Sequence, residues 1–257
     1  MLNQFSRNEL AIGNEGIKVL HNATVVVVGV GGVGSYAVEA LARSGIGTII
    51  LIDRDTIDIT NINRQLPALL STIGQSKVEI MCDRIHDINP DCNVIVHQTF
   101  ITEENISIVF EMYPDFVVEA IDTIKIKGLI LSEALKRNIK IISSMGMANK
   151  MDPTRIKIID IWDTTYDPIA RILRKMLREE KLSFKKLPVV CSTEIPIKQR
   201  QDVVETIVES ESEIRKQQLP PSSNSFVPSV AGLFCASYVV NEILKNKGIT
   251  IQRLHEQ

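Results

Sequence analysis

A glycine-rich turn follows the first strongly apolar stretch of the chain. Consecutive valines end at Val28 and lead into the sequence GVGGVGS, which contains Gly29, Gly31, Gly32 and Gly34. Glycines let a backbone turn tightly and approach a ligand, and the N–H groups at the start of a following helix attract phosphate. The motif therefore predicts a nucleotide site, although the same spacing also serves packing between a strand and a helix.

Two acidic residues follow the second predicted strand. Asp53 ends that strand, and Asp55 comes two positions later. A carboxylate at this point of a nucleotide-binding sheet accepts hydrogen bonds from ribose hydroxyls. Because NAD and ATP both carry a ribose, Asp53 indicates a nucleotide without choosing between them.

A polar and basic cluster just beyond these carboxylates favours a triphosphate. The segment NINRQ supplies Asn61, Arg64 and Gln65, and Lys77 opens the next predicted helix. An arginine fork binds phosphate oxygens, and a lysine places a compact positive charge where an attacked α-phosphate accumulates negative charge. Either cation alone is better interpreted as a solvated surface residue. Together with the glycine turn they predict ATP as the nucleotide and adenylyl transfer as the reaction.

Asp122 is the candidate metal ligand. It closes the apolar sequence FVVEAID, at the sheet edge where ligands collect in doubly wound folds. Its carboxylate could hold Mg²⁺, with the phosphates of the nucleotide completing the coordination shell. The alternative is that Asp122 caps the helix that follows it.

The elements that position these residues alternate along the first half of the chain. We predict strands at 24–28, 48–53, 93–97, 116–121 and 140–144, and helices at 36–43, 77–88 and 128–137. Continuous apolar strands between amphipathic helices predict an α/β fold with a doubly wound, mostly parallel, Rossmann-like sheet. A further strand at 154–161, a helix at 167–181 and a buried helix at 227–244 predict an extra C-terminal strand and helix region.

The length favours one domain over residues 1–257. We expect residues 1–150 to form the nucleotide-binding core and residues 151–257 to face the substrate. The segment 193–225 is polar and charged, which predicts an exposed excursion carrying a helix over 201–214. The formal net charge of −2 gives no overall preference for nucleic acid, so such contact would need a local patch.

The cysteines and the apolar stretches exclude several classes of protein. The four cysteines form no C-x-x-C pair, which argues against a structural zinc or a disulfide framework. Cys191 remains a candidate reactive thiol, although a small buried hydrophobe is the alternative. No signal-peptide pattern is present and no apolar stretch is expected to span a bilayer, so we predict a cytoplasmic protein without a membrane partner.

The predicted helix at 167–181 is a candidate RNA-binding surface. Basic residues at helical spacing are predicted on one face: Arg171, Arg174, Lys175 and Arg178, extended by Lys181, Lys185 and Lys186. Apolar residues are predicted on the other: Ile172, Leu173, Met176 and Leu177. Such a stripe is either a solvated face or a set of phosphate contacts.

The combined motifs resemble the ubiquitin-activating-like adenylating enzymes, which include the molybdopterin- and thiamine-biosynthesis activators. The resemblance rests on Gly29-x-Gly-Gly-x-Gly34, Asp53-x-Asp55, Asn61-x-x-Arg64-Gln65, Lys77 and Asp122. It implies a dimer that binds ATP and Mg²⁺ and in which a carboxylate attacks the α-phosphate. The implied ligands are Asp53 for ribose, Asp122 for Mg²⁺, and for the phosphates Asn61, Arg64 and Lys77. The N-terminal FSRNELAIGNEGIKVL resembles a segment whose arginine, here Arg7, reaches the neighbouring subunit's site.

Five longer segments resemble one branch of that family, the tRNA threonylcarbamoyladenosine dehydratases. They are EAIDTIKIKGLI, MGMANKMDPTRIKIIDI, DPIARILRKMLR, CSTEIP and PPSSNSFVPSVAG. This likeness implies adenylation of the threonylcarbamoyl carboxylate beside a tRNA anticodon, followed by cyclisation with net loss of water. Some members carry a late-loop cysteine linked to persulfide delivery. Serines and an asparagine stand there in this chain, which argues against a sulfur-transfer partner.

Three other functions remain open at this point. The chain could activate the C-terminus of a sulfur-carrier or ubiquitin-like protein. It could be an NAD-dependent oxidoreductase, which the glycine turn and Asp53 permit but the Asn61 to Lys77 cluster does not explain. It could also be a non-catalytic RNA-binding scaffold, although its intact ATP-site residues argue against that role.

Overall fold

The computed structural model describes residues 2–204 and 221–252 and contains a seven-stranded sheet. The strands are β1 Thr24–Val28, β2 Thr48–Ile52, β3 Asn93–His97, β4 Phe116–Glu119, β5 Ile141–Ser144, β6 Ile156–Asp160 and β7 Pro188–Ser192. Their order is β3-β2-β1-β4-β5-β7-β6. The pairings are parallel except for that of β6 with β7. The predicted α/β class and mostly parallel sheet are therefore confirmed.

Helices cover both faces of the sheet. They are α1 Ser6–His21, α2 Gly34–Ser44, α3 Lys77–Ile88, α4 Ile124–Arg137, α5 Pro168–Glu179 and α6 Val227–Asn246. Residues of α1, α2, α3 and α6 pack into the core on one face, and residues of α4 and α5 pack into the core on the other. Within β1, Val25 and Val27 face the first core while Val26 and Val28 face the second. A strand buried on both faces is apolar throughout, which explains the valine run.

The start of α5 follows the predicted capping pattern. The Asp167 side chain accepts the Ala170 N–H at 2.9 Å, and Pro168 occupies the first turn. An N-cap carboxylate satisfies an orphan N–H group, while proline at this position loses no helical hydrogen bond. The helix ends at Glu179, two residues before the predicted end.

The C-terminal region differs from the prediction in its strands. β6 matches the predicted strand, but the sequence analysis missed β7, which inserts between β5 and β6. β7 has only five residues and adjoins a polar segment, so its pattern is too short to stand out. Of the helix predicted at 201–214, residues 201–204 are helical, and the rest lies outside the described residues.

The helix α6 corrects the expectation that no apolar stretch could span a bilayer. By length and hydropathy it could cross a membrane, and half of its most apolar window is buried in the fold. Ala231, Cys235 and Val239 are completely buried in the core that α6 shares with α2. These contacts are those of a core helix, which passes the same length and composition test.

Candidate active site

A cavity of about 850 Å³ opens at the carboxyl ends of the strands. β1 and β4 lie side by side there, and the chain leaves them in opposite directions along the sheet, so the cavity lies at the switch point. Ten of the predicted site residues line it: Gly29, Gly31, Gly32, Asp53, Asp55, Asn61, Arg64, Gln65, Lys77 and Asp122. The structure therefore brings together residues that are up to 93 positions apart in sequence, since Gly29 and Asp122 bound the set.

The glycines of the turn have different roles. A Cβ on Gly34 would lie 1.7 Å from the Gly29 carbonyl oxygen, and Gly29 itself has a φ of +90°. These two positions need glycine for the fold, so the packing interpretation holds for them. Gly31 has only the Gln65 amide nitrogen nearby, 3.8 Å from where its Cβ would be, and it faces the cavity. No side chain caps α2, which begins at Gly34, and its Ser35 and Ala37 N–H groups donate to the Gly31 and Val33 carbonyl oxygens. The N–H groups placed to meet an anion are therefore those of the turn before Ser35.

Asp53 is held by backbone donors on both carboxylate oxygens. Its Oδ2 accepts the Val30 N–H at 2.7 Å, and its Oδ1 accepts the Asp55 N–H at 2.8 Å. A carboxylate has lone pairs for about four hydrogen bonds, so two remain for a ligand. The contact to Val30 also fixes the carboxylate relative to the glycine turn.

Lys77 brings a buried ammonium group to the cavity. Its side chain is 6% exposed, and Nζ lies 2.8 Å from Asp55 Oδ2. Asp55 is itself half exposed, and Arg54 lies 3.4 Å from its other oxygen. Lys77 is therefore not a solvated surface lysine.

Arg64 is half-buried on the segment between β2 and α3. Its Nη1 donates to the Thr60 carbonyl oxygen and to Asn63 Oδ1, both at 2.8 Å. Burial lowers the pKa of its guanidinium from the usual value. These bonds occupy one nitrogen of the planar fork, which leaves the guanidinium donors on its other nitrogens for a phosphate.

Two amide side chains complete this wall. Asn61 Oδ1 accepts the Asp58 N–H at 3.2 Å, which fixes the Asn61 side chain. Gln65 is 8% exposed, and its Oε1 has no hydrogen-bond partner among residues 2–204 and 221–252. A buried acceptor without a donor is rare and indicates a donor supplied by a ligand or water.

Asp122 lies in the turn after β4, three residues beyond the strand end. Its carboxylate is exposed in the cavity, and Thr123 Oγ1 lies 3.4 Å from Oδ1. Thr123, not Asp122, is the N-cap of α4, so helix capping does not use the Asp122 carboxylate. The described residues contain no cluster of three or more His, Cys, Asp or Glu side chains that could enclose a metal ion. The single exposed carboxylate of Asp122 fits an ion that shares its other oxygen ligands with a bound phosphate.

Arg7 lies away from this cavity. Its helix α1 packs beside the C-terminal end of α2, where Asn8 Nδ2 donates to the Arg43 carbonyl oxygen at 2.9 Å. The glycine turn precedes the other end of α2, eleven residues or about 16 Å away. Arg7 is exposed and free to meet another molecule.

The sequence analysis missed a buried ion pair beneath the cavity. Glu119 at the end of β4 and Lys127 in α4 are 0% and 1% exposed, and Lys127 Nζ lies 2.5 Å from Glu119 Oε2. Glu119 falls within the predicted strand 116–121, whereas Lys127 lies one residue before the predicted helix 128–137. Charged residues are rare inside a fold without a partner. The eight-residue spacing gave no sign that they meet.

The basic face of α5 is smaller than predicted. The Arg174 guanidinium donates to the Ile161 and Thr164 carbonyl oxygens at 3.1 Å, so it serves internal packing. Ile172, predicted on the apolar face, is 44% exposed because the buried stripe is narrow. That stripe consists of Ala170, Leu173 and Leu177. Arg171, Lys175 and Arg178 remain exposed on the helix.

Cys191 does not match a reactive thiol. It lies in β7 with 1% of its surface exposed, and burial raises the pKa of its thiol to about 11. A raised pKa lowers the thiolate fraction, and the thiolate is the nucleophile. The alternative of a small buried hydrophobe is the one that the structure supports.

Comparison with known proteins agrees with this geometry. The sequence profile of the ThiF family matches residues 5–249. The chain belongs to the ThiF family. It is 54% identical over 257 residues, covering 100% of both chains, to the tRNA threonylcarbamoyladenosine dehydratase of Bacillus subtilis. It is 36% identical over 241 residues to the Haemophilus influenzae enzyme of the same name, covering 89% of this chain and 88% of that one.

A solved structure extends the likeness to three dimensions. The tRNA N6-threonylcarbamoyladenosine dehydratase of E. coli, in complex with ATP, superimposes with a TM-score of 0.84 at 30% identity. The alignment covers 95% of each chain. The similarity thus includes the C-terminal region as well as the nucleotide-binding half of this ThiF-family chain.

Proposed function

We propose that this protein is an ATP-dependent tRNA threonylcarbamoyladenosine dehydratase. The observation that carries the proposal is one cavity, at the switch point of the sheet, that gathers Asp53, Arg64, Lys77 and Asp122. A 54% identical relative of that name, matched over the whole chain, supports the substrate. An NAD-dependent enzyme would leave Arg64 and Lys77 without a role.

The nucleotide is ATP, and four side chains bind it. Asp53 accepts hydrogen bonds from the ribose, because its two backbone contacts leave lone pairs free. Asn61, Arg64 and Lys77 bind the phosphates from the segment between β2 and α3. The positive charges of Arg64 and Lys77 oppose the negative charge that develops when the α-phosphate is attacked, while the neutral Asn61 amide donates hydrogen bonds.

Asp122 would hold Mg²⁺ together with oxygens of the triphosphate. Bound there, the ion supplies charge neutralisation between the phosphates. The exposed carboxylate of Asp122 fits such a shared site, in which the nucleotide would supply the remaining oxygen ligands.

The substrate carboxylate is the nucleophile. Its oxygen attacks the α-phosphate, pyrophosphate leaves, and the resulting acyl adenylate carries AMP as a good leaving group. A nucleophile within the same modified nucleoside then closes on the carbonyl and expels AMP. No enzyme thiol is required for these steps, which agrees with the buried Cys191 and Cys235.

The tRNA is proposed to contact the exposed cations of α5. Arg171, Lys175 and Arg178 are exposed, with Lys175 Nζ 3.8 Å from Glu179 and the Arg178 guanidinium over the Trp162 ring. RNA phosphates bind cations of this kind. The protein is further proposed to act in the cytoplasm as a homodimer in which Arg7 of one subunit enters the cavity of the other. The position of Arg7, remote from its own cavity, supports that arrangement.

Turnover with a defined substrate tests the function. Purified protein with ATP and Mg²⁺ is incubated with tRNA carrying linear threonylcarbamoyladenosine, and the nucleosides are then weighed by mass spectrometry. We expect AMP in proportion to a nucleoside lighter by one water. AMP without any change in the nucleoside would redirect the proposal towards activation of a protein C-terminus.

A further inference from the structure

The buried pair of Glu119 and Lys127 satisfies all its hydrogen-bonding groups. Lys127 Nζ donates to Glu119 Oε2 at 2.5 Å, to the Ser144 carbonyl oxygen at 2.9 Å and to Ser143 Oγ at 3.3 Å. The Ser143 hydroxyl in turn donates to Glu119 Oε2 at 2.5 Å. The three ammonium hydrogens are thereby used.

The remaining carboxylate oxygen reaches the turn that carries Asp122. Glu119 Oε1 accepts the Ile121 N–H at 2.9 Å, and Ile121 immediately precedes Asp122. Lys127 stands in the first turns of α4, on the other side of the same turn. The pair therefore connects both ends of the turn to the end of β5, beyond which Met145 and Gly146 line the cavity.

Stability alone does not explain a pair of charges in this position. Removing two charges from water costs several kcal/mol per ion, and apolar pairs of similar volume are often equally stable. The bond to the Ile121 N–H is the feature that an apolar pair would not supply.

We propose that Glu119 and Lys127 are positioning residues for the metal-binding carboxylate. The ion pair fixes Glu119 Oε1, which orients the Ile121 amide and so directs Asp122 towards the phosphates. This inference rests on the proposed role of Asp122 with Mg²⁺, and its test separates the two.

Two double variants differ in whether position 119 can still accept a hydrogen bond from the Ile121 N–H. Glu119→Leu/Lys127→Met removes both charges together and also removes the acceptor for the Ile121 N–H. Glu119→Gln/Lys127→Met removes the same charges but keeps an amide oxygen at position 119 that can accept the Ile121 N–H. Glu39→Gln is the control for general destabilisation, because Glu39 pairs with Arg84 at 2.7 Å on α2, outside the cavity.

The measurement is calorimetric binding of a non-cleavable ATP analogue, α,β-methylene ATP, with Mg²⁺ and with EDTA. The ratio of the two dissociation constants reports metal coordination without requiring turnover. We expect Glu119→Leu/Lys127→Met to lower this ratio at least about tenfold, as outer-shell changes at metal sites do. Glu119→Gln/Lys127→Met and Glu39→Gln should stay within about threefold of the wild type.

The inference would be overturned if the two double variants gave equal ratios of dissociation constants, whether both ratios fall or both stay at the wild-type value. Asp122→Asn is measured in parallel. If Asp122→Asn has the wild-type ratio, the metal role of Asp122 fails. If the ratio falls in Asp122→Asn but stays at the wild-type value in both double variants, only the positioning role of Glu119 and Lys127 fails. Should Glu119→Leu/Lys127→Met not fold, Glu119→Met/Lys127→Met replaces it with the same expected loss of at least about tenfold, and an unchanged ratio overturns the inference.

Discussion

Lys77 Nζ lies 2.8 Å from Asp55 Oδ2, and the lysine side chain is 6% exposed while the aspartate is 52% exposed. Lys77 is thus the buried partner of this ion pair, and the Asp55 carboxylate lies between the ammonium group and solvent. Asp55 holds the Lys77 ammonium at the cavity wall in the absence of a phosphate. Because an exposed carboxylate is well solvated, it can release the lysine to a ligand at small cost.

Lys77→Met should reduce adenylation by about 10²- to 10³-fold, because one preorganised charge at the α-phosphate is lost. The fold should persist, since methionine matches the buried stem and Asp55 remains solvated. Single-turnover AMP formation and thermal unfolding measure the two effects. Asp55→Asn is the control, and a loss in it as large as in Lys77→Met would contradict a direct role for the lysine.

Arg64→Ala should abolish measurable turnover and leave the fold intact. The guanidinium is anchored by the Thr60 carbonyl oxygen and Asn63 Oδ1, so the side chain is preorganised for phosphate. Arg64→Lys retains the charge without the planar fork, and we expect it to recover only a small part of the rate. The rate of steady-state AMP release measures both effects. Wild-type activity in Arg64→Ala would show that Arg64 does not bind the phosphates.

Subunit complementation tests the position of Arg7. Arg7→Ala and Asp122→Ala should each be inactive as pure proteins. If Arg7 acts across a dimer, half of a randomised equal mixture is mixed dimers with one intact site each, giving about a quarter of wild-type activity. No recovery after confirmed subunit exchange would place Arg7 outside the partner's site.

The exposed cations of α5 should determine how steeply tRNA binding falls with salt. Arg171→Ala/Lys175→Ala/Arg178→Ala should lower the slope of log affinity against log salt by about one per lost phosphate contact. ATP binding should not change. The control variant removes three exposed lysines from α1 and the end of α6, on the opposite face of the sheet: Lys18, Lys245 and Lys247. Equal slopes for both variants would show that α5 is only a solvated face.

The thiols should be inert in the native protein. With a pKa of about 11, only about one in a thousand Cys191 thiols is ionised at pH 8, and Cys235, at about 12, is still less so. Brief iodoacetamide labelling should therefore reach Cys82, which is the partly exposed cysteine, before the others. Cys191→Ser should keep turnover, and its loss in a folded variant would reopen a role for this thiol.

The parallel core could be predicted because its signals are local. The valine run, the glycine turn and the capped start of α5 each depend on a few neighbouring residues, and each is found where the sequence indicated. Seven of the ten cavity residues closely follow a strand end or open a helix, and Asn61, Arg64 and Gln65 could be named from their polar and basic types in the segment between β2 and α3. β7 was missed because five residues beside a polar segment carry too little pattern.

Contacts between residues far apart in sequence could not be predicted from the sequence pattern. Nothing in the spacing of Glu119, Lys127 and Ser143 shows that a carboxylate, an ammonium and a hydroxyl meet beneath the cavity. Arg174 was assigned to the basic stripe because helical periodicity specifies a direction but not the carbonyl groups that its long side chain reaches. The Ile172 exposure likewise depends on how much of α5 its neighbours cover.

The most direct test of carboxylate adenylation follows an oxygen atom. The threonylcarbamoyl carboxylate of the tRNA substrate is labelled with oxygen-eighteen, and the AMP formed in a single turnover is analysed by mass spectrometry. Attack of that carboxylate on the α-phosphate, followed by cyclisation, predicts AMP carrying one labelled oxygen and a nucleoside lighter by one labelled water. Unlabelled AMP beside a cyclised nucleoside would contradict the account, because the carboxylate would then not have been adenylated.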